Sequence, residues 1–133
     1  MAQRVLIVDD DKLIGKSLEK LLKLKGLEAE YVEEPGKAFS SLNKKEFDIA
    51  LIDLNMPAAN GIDLASLIMK EHPLVSTIIM TGGGCVEDYM RAQSIGIKDF
   101  IHKPFESDMF VKMIKEMEPV GSNSDKYVLN PSI

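Results

Sequence analysis

The sequence has little of what small proteins use for covalent or zinc-based stabilisation. Cys85 is its single cysteine, so no intramolecular disulfide can form and no zinc-type cluster is available. At 133 residues the chain is long enough for one domain that buries a core without such cross-links. A single free cysteine also fits a reducing compartment.

Long apolar runs and clusters of positive charge are missing as well. No stretch approaches the roughly 20 apolar residues of a membrane span, and the N-terminal MAQRVLIVDDD lacks the features of a signal peptide. We therefore expect a cytoplasmic protein with no membrane partner. Its 16 basic residues are scattered and its net charge is −5, so electrostatics do not favour direct contact with nucleic acid.

The chain does have a regular alternation of short apolar runs and helical patterns. The runs RVLIV, LEAEYV, DIALI, VSTIIM and DFIH begin at residues 4, 27, 48, 75 and 99. Three of them are almost continuously apolar, which is typical of parallel strands covered on both faces. Helical spacing predicts a helix after each run, with stops at Gly26, Pro73, Gly96 and Pro119. The order predicts an α/β fold with an open five-stranded parallel sheet and five helices.

Side chains suited to phosphate or metal chemistry follow four of the predicted strands. The first strand ends at Asp9 and Asp10, the third at Asp53, the fourth at Thr81 and the fifth at Lys103. In the flavodoxin-like, doubly wound strand order 2-1-3-4-5, the first and third strands are neighbours where the order reverses. Open α/β sheets bind ligands at that point, so the three aspartates are expected to converge there.

Converging carboxylates repel one another unless a cation lies among them. Oxygen ligands without nearby histidine or cysteine favour Mg²⁺ or Mn²⁺ over zinc, and Mg²⁺ also accepts a phosphate oxygen. Asp53 is the candidate nucleophile, because a carboxylate beside such a metal can form an aspartyl-phosphate. The metal, the Lys103 ammonium and the Thr81 hydroxyl could each neutralise one phosphoryl oxygen.

Four motifs in register carry a family resemblance: LIVDDD, LIDLNMP, IIMTGGG and DFIHKPF. In this order, at the ends of four predicted strands, they resemble the receiver domain of two-component response regulators. The resemblance implies a receiver domain over residues 3–118. Residues 119–133, rich in Gly, Ser, Asn and Pro, are expected to be a C-terminal tail or the start of a linker.

The resemblance implies a metal site and a phosphorylation site. Asp9 and Asp10 match the acidic pair, with Asp10 expected to bind Mg²⁺ directly and Asp9 mostly through water. Asp53 matches the phosphoacceptor, and Asn55 is expected to offer its backbone carbonyl to the metal.

It also implies residues that respond to the phosphoryl group. Thr81 matches the switch hydroxyl, Lys103 the phosphate-binding lysine and Phe100 the switch aromatic residue. The bond between Lys103 and Pro104 is expected to be cis, an isomer that is accessible at modest cost only before proline.

The implied function is a phosphorylation-activated switch. A sensor histidine kinase or a histidine phosphotransfer protein would phosphorylate Asp53, and the face formed by the fourth helix, fifth strand and fifth helix would then change its affinity for an effector protein or a fused output domain. A phosphorylation-dependent dimer is a further implied partner. The domain would be no enzyme beyond its own phosphoryl transfer and self-dephosphorylation.

Other interpretations of the same residues remain open at this stage. Asp9 and Asp10 could cap the first helix. A metal-dependent phosphatase would need an acid two residues after the nucleophile, where Asn55 stands, and a pseudo-receiver that only binds a partner would lack an acid or the lysine. One departure from many relatives is Gly83, where a larger side chain is common, so the phosphoryl group is expected to be more open to water.

Overall fold

The computed structural model describes residues 3–57, 59–83, 85–97 and 99–117. In this part of the chain, five parallel strands form one sheet: β1 (Arg4–Val8), β2 (Glu28–Val32), β3 (Ile49–Asp53), β4 (Ser76–Thr81) and β5 (Asp99–His102). Their order is β2-β1-β3-β4-β5. The predicted doubly wound sheet is confirmed, and the strand bounds differ from the apolar runs by at most one residue at either end.

Five helices alternate with these strands: α1 (Lys12–Leu24), α2 (Pro35–Lys44), α3 (Gly61–Glu71), α4 (Val86–Ser94) and α5 (Ser107–Glu116). The N-cap of α1 is Asp11, whose carboxylate accepts from the backbone N–H groups of Leu13 and Ile14. Asp9 and Asp10 are therefore not the capping residues of this helix. The fifth helix ends before the predicted stop at Pro119 because Met117 already has extended backbone angles.

Two apolar clusters cover the two faces of the sheet. Side chains alternate between the faces of a strand, so in β1 Leu6 and Val8 join one cluster while Val5 and Ile7 join the other. The first cluster includes side chains of α2, α3 and α4, and the second includes side chains of α1 and α5. Because both faces are covered, the strands can be continuously apolar, as β3 is from Ile49 to Ile52.

A short antiparallel pair leads from β3 into α3. Residues Asn55–Met56 pair with Ala59–Asn60, and the Asn60 side chain then caps α3 by accepting from the backbone N–H of Ile62 at 2.8 Å. This turn keeps the segment after β3 at the carboxyl edge of the sheet. No helix in the described part of the chain combines the length and apolar character needed to cross a membrane.

Candidate functional site

Three aspartates meet at the carboxyl ends of β1 and β3. One carboxylate oxygen each from Asp9, Asp10 and Asp53 lies within 4.8 Å of the other two. Asp9 is fully buried and Asp53 is 6% exposed, whereas Asp10 faces solvent. They converge because Val8 and Ile52, the residues that precede Asp9 and Asp53, are register partners in adjacent strands. Clustered carboxylate oxygens that are open to water on one side suit a hard divalent cation.

Lys103 bridges the two buried carboxylates. Its Nζ lies 3.0 Å from Oδ2 of Asp9 and 3.0 Å from Oδ1 of Asp53. The lysine follows β5 directly, and its backbone N–H donates to the carbonyl of Thr81 at 2.8 Å. The Lys103–Pro104 peptide bond is cis.

The pKa values of this ion pair are shifted by burial and by the neighbouring charges. Burial raises the pKa of Asp53 to about 6; the hydrogen bond from Lys103 opposes this rise and the negative charge of Asp9 adds to it. Burial alone would lower the pKa of Lys103, but its hydrogen bonds to Asp53 and Asp9 outweigh that effect and the pKa is raised. Lys103 is therefore a firmly protonated cation beside a carboxylate whose charged form is disfavoured by burial.

Thr81 and the loop after it lie at the same edge of the sheet. Thr81 is fully buried at the end of β4, and its hydroxyl oxygen accepts from the backbone N–H of Gly83 at 3.0 Å. Among the described residues, nothing lies within 4 Å of where a side-chain β-carbon at Gly83 would be. The loop therefore has open space beside the residue predicted to contact a phosphoryl group.

Phe100 lies on β5 next to α4. It is partly buried against the cluster that α2, α3 and α4 cover. Its ring centroid is 4.4 Å from that of Tyr89 in α4, and the Tyr89 hydroxyl forms a hydrogen bond with the imidazole of His102. A movement of Phe100 would therefore change the contacts between β5 and α4.

Two glycines and a tyrosine that support the site were not singled out from the sequence. A β-carbon at Gly61 would lie 2.3 Å from the backbone oxygen of Asp53, so only glycine lets α3 approach the end of β3 this closely. The Tyr31 hydroxyl donates to the backbone carbonyl of Asp9 at 2.7 Å, and its ring packs where Gly15 lacks a side chain. A glycine inside a helical pattern is the available sequence signal for such a contact.

Tyr31 stays a donor at neutral pH. Burial, followed by the negative charges of Glu33 and Asp9, raises the pKa of its hydroxyl to about 12. The hydrogen bond to Asp9 is therefore present throughout the physiological range.

Comparison with known proteins agrees with this fold. The sequence over residues 5–115 matches the response regulator receiver domain, and the chain belongs to that family. The resemblance recognised from the four motifs is thereby confirmed.

Two relatives show how much of a longer regulator this chain matches. The chain is 32% identical over 114 residues to the response regulator protein FleR of Pseudomonas aeruginosa, covering 86% of this chain and 24% of FleR. It is 32% identical over 111 residues to the DNA-binding transcriptional regulator NtrC of Salmonella typhimurium, covering 84% of this chain and 24% of NtrC. The chain thus spans about a quarter of the length of these two regulators.

A solved structure of a lone receiver domain is similar over nearly its whole length. The response regulator receiver domain protein (CheY-like) from Methanospirillum hungatei JF-1 superposes with a TM-score of 0.83 at 29% identity, covering 87% of this chain and 93% of that one. The described domain is therefore a receiver domain of a two-component response regulator.

Proposed function

We propose that this receiver domain is a switch in which Asp53 accepts a phosphoryl group in the presence of Mg²⁺. The observation that carries the proposal is the position of Asp53. Its carboxylate is nearly buried, lies within 4.8 Å of ligand oxygens from Asp9 and Asp10, and is 3.0 Å from the Lys103 ammonium. This arrangement of three carboxylates and one ammonium group supports the proposal that Asp53 is the nucleophile of a metal-assisted phosphoryl transfer.

The donor set fits Mg²⁺ better than a softer metal. Asp9, Asp10 and Asp53 offer carboxylate oxygens, and the Asn55 backbone would add a carbonyl oxygen, which together are the ligands that hard cations prefer. Mn²⁺ would suit the same ligands. The bound metal would supply positive charge for the phosphoryl oxygens.

Phosphoryl transfer would use the carboxylate of Asp53 as the attacking group. An oxygen of Asp53 attacks the phosphorus of a phosphohistidine, an O–P bond forms, the P–N bond breaks, and the imidazole leaves with the bonding electrons. In this proposal Lys103 neutralises one phosphoryl oxygen and the Thr81 hydroxyl donates to another. Phosphoryl transfer needs mainly positioning and charge neutralisation. The end of a buried strand suits Asp53 because it holds the carboxylate in a fixed position.

The switch would work by a shift between two packings of one face. When the Thr81 hydroxyl turns towards the phosphoryl group, it gives up its contact with Gly83, and Phe100 can turn inward from its partly buried position. The face formed by α4, β5 and α5 would then change. Val86 and Met90 of α4 and Met109 of α5 are 71%, 64% and 72% exposed, so apolar side chains are available to a partner there.

The proposed partners are a sensor histidine kinase or phosphotransfer protein upstream and an effector protein or fused output domain downstream. FleR and NtrC are about four times as long as the part that matches this chain. We propose that residues 3–118 form the receiver domain and that 119–133 are a tail or the start of a linker; residues 118–133 lie outside the described part of the chain. We also propose that the domain is cytoplasmic and forms a dimer when it is phosphorylated. It would make no direct contact with nucleic acid or membrane. It would catalyse nothing beyond its own phosphorylation and dephosphorylation.

The test is incubation with Mg²⁺ and a small acyl-phosphate donor, followed by intact-mass measurement. The wild type is expected to gain the mass of one phosphoryl group, and Asp53→Ala is expected to gain none. Asp48→Ala is the matched control, because Asp48 immediately precedes the other end of β3, away from the site, and the substitution should leave labelling intact. A wild type that gains no mass, or an Asp53→Ala variant that is labelled equally, would overturn the proposal.

A further inference from the structure

Two hydrogen bonds fasten the segment between β1 and α1 to the carboxyl end of β2. The Tyr31 hydroxyl donates to the backbone carbonyl of Asp9 at 2.7 Å, across 22 residues of sequence. The backbone N–H of Asp9 donates to the carbonyl of Val32 at 3.3 Å. The peptide groups on both sides of Asp9 are therefore held by β2, and one of these contacts depends on a side chain.

The Tyr31 ring is fixed by a notch in α1. A β-carbon at Gly15 would lie 2.1 Å from Cε1 and 2.4 Å from Cδ1 of the ring, so the ring rests where any other residue would place a side chain. The backbone N–H of Tyr31 donates to the Glu19 carboxylate at 3.1 Å, which ties the same residue to the next turn of α1. With its ring and its backbone both held, Tyr31 has its hydroxyl aimed at Asp9.

The carbonyl of Asp9 belongs to the peptide group that joins Asp9 to Asp10. The Asp9 carboxylate is held independently, by the backbone N–H of Asp11 at 2.9 Å and by Lys103 at 3.0 Å. Asp10 faces solvent, so the direction of its side chain depends on the orientation of this peptide group. A ligand that is already oriented loses less conformational freedom when a metal binds.

We propose, building on the Mg²⁺-dependent phosphorylation proposed above, that Tyr31 is a positioning residue for the metal site. Its hydroxyl orients the Asp9–Asp10 peptide group, and Gly15 makes room for the ring that carries the hydroxyl. Tyr31 touches no phosphoryl group and supplies no metal ligand in this scheme. Its effect is on the affinity of the site for the cation.

The experiment compares Mg²⁺ binding to the wild-type chain, Tyr31→Phe and Tyr89→Phe by isothermal titration calorimetry. Tyr31→Phe keeps the ring in the Gly15 notch and removes only the hydroxyl, and it is expected to raise the Mg²⁺ dissociation constant by about 10-fold, as the loss of a group that orients a metal ligand does. Tyr89→Phe also removes a hydroxyl that makes a side-chain hydrogen bond, but on α4, and it is expected to leave the constant unchanged. A Tyr31→Phe constant within about twofold of the wild type would overturn the inference.

A second readout separates positioning from folding. With an acyl-phosphate donor, Tyr31→Phe is expected to need more Mg²⁺ for half-maximal labelling of Asp53 but to reach the wild-type rate at saturating Mg²⁺. A lower rate at saturation with an unchanged half-maximal concentration would overturn the inference while leaving phosphorylation of Asp53 intact. Gly15→Ala is the second variant: it displaces the ring and keeps the hydroxyl, and it too should weaken Mg²⁺ binding, whereas unchanged binding would count against the proposal.

Discussion

The ammonium of Lys103 lies 3.0 Å from the carboxylate of Asp53, although 50 residues separate them in sequence. The same ammonium is 3.0 Å from Asp9, so two buried carboxylates share one positive charge. A bound Mg²⁺ would share these oxygens. The stability of the domain, its affinity for metal and its phosphorylation should therefore all depend on this contact.

Lys103→Met should separate these three properties. Without the ammonium, two carboxylates remain buried and unpaired, so the free energy of unfolding in EDTA at neutral pH should fall by about 3 kcal/mol. Mg²⁺ should then stabilise the variant more than it stabilises the wild type, because it becomes the principal cation at the site. Phosphorylation of Asp53 should slow by about 100-fold. Urea unfolding with and without Mg²⁺, together with labelling rates, measures each effect.

The exposed Lys112 of α5 provides the control. Lys112→Met should change none of the three quantities appreciably. Equal stabilisation of Lys103→Met and wild type by Mg²⁺ would contradict the proposal that Lys103 and the metal share the same carboxylates.

The raised pKa of Asp53 predicts a pH dependence of stability in the metal-free protein. Its folded-state pKa is about 6, above the ordinary value of 3.8. Stability from this group is therefore fully present below about pH 4 and is lost as pH rises through 6, by about 3 kcal/mol in total. Asp53→Asn is neutral at every pH, so relative to the wild type its free energy of unfolding should grow by about that amount between pH 4 and 7.5. Urea unfolding in EDTA across this range tests it, and a constant difference would be the contrary result.

Because the Tyr31 ring rests against Gly15, the effect of a Gly15 substitution on stability should depend on whether that ring is present. Gly15→Ala should lower the free energy of unfolding by about 1 to 3 kcal/mol, because the new methyl group overlaps the Tyr31 ring. In a Tyr31→Ala background the ring is gone, and the same substitution should stabilise the protein by up to about 1 kcal/mol through helix propensity. A double-mutant cycle by urea unfolding measures the coupling. The same cost in both backgrounds would show that the ring does not occupy the notch.

The residue at position 83 should affect the lifetime of phosphorylated Asp53. A side chain there meets open space among the described residues, so a bulkier residue can be accommodated and can hinder water from reaching the phosphoryl group. Gly83→Leu should lengthen the phosphorylated lifetime by at least about twofold, which corresponds to about 0.4 kcal/mol of activation free energy. Gly83→Ala should have a smaller effect. An unchanged lifetime in Gly83→Leu, measured by the decay of the labelled mass, would refute the explanation.

The sheet and the converging aspartates were predictable from the sequence. Apolar runs mark the strands, and the order of strands and helices determines which strands are neighbours. A parallel strand that is covered on both faces, such as Ile49–Asp53, is expected to be apolar along its length, so the carboxylate of Asp53 at its end stands out in the sequence. The doubly wound strand order then places Asp9 beside it. Helix ends were predictable to within a few residues from glycine and proline.

Contacts between side chains of different elements were not predictable in the same way. Leu13 and Leu24 fall within the apolar pattern of α1, yet they are 78% and 73% exposed, because only one side of the helix faces the sheet. The capping role falls to Asp11 rather than to Asp9 or Asp10, and only the path of the backbone distinguishes three consecutive aspartates. The Tyr31 contact with Gly15 requires the distance between two elements, which periodicity does not contain.

Asp53, and no other carboxylate, is proposed to accept the phosphoryl group. The most direct measurement is reductive trapping after reaction with Mg²⁺ and an acyl-phosphate donor, in which borohydride converts an aspartyl-phosphate to homoserine, followed by peptide mass spectrometry. Conversion at position 53, with none at Asp9 or Asp10 and none when Mg²⁺ is replaced by EDTA, is the predicted result. Homoserine at another aspartate, or a labelled protein in which Asp53 remains intact, would contradict it.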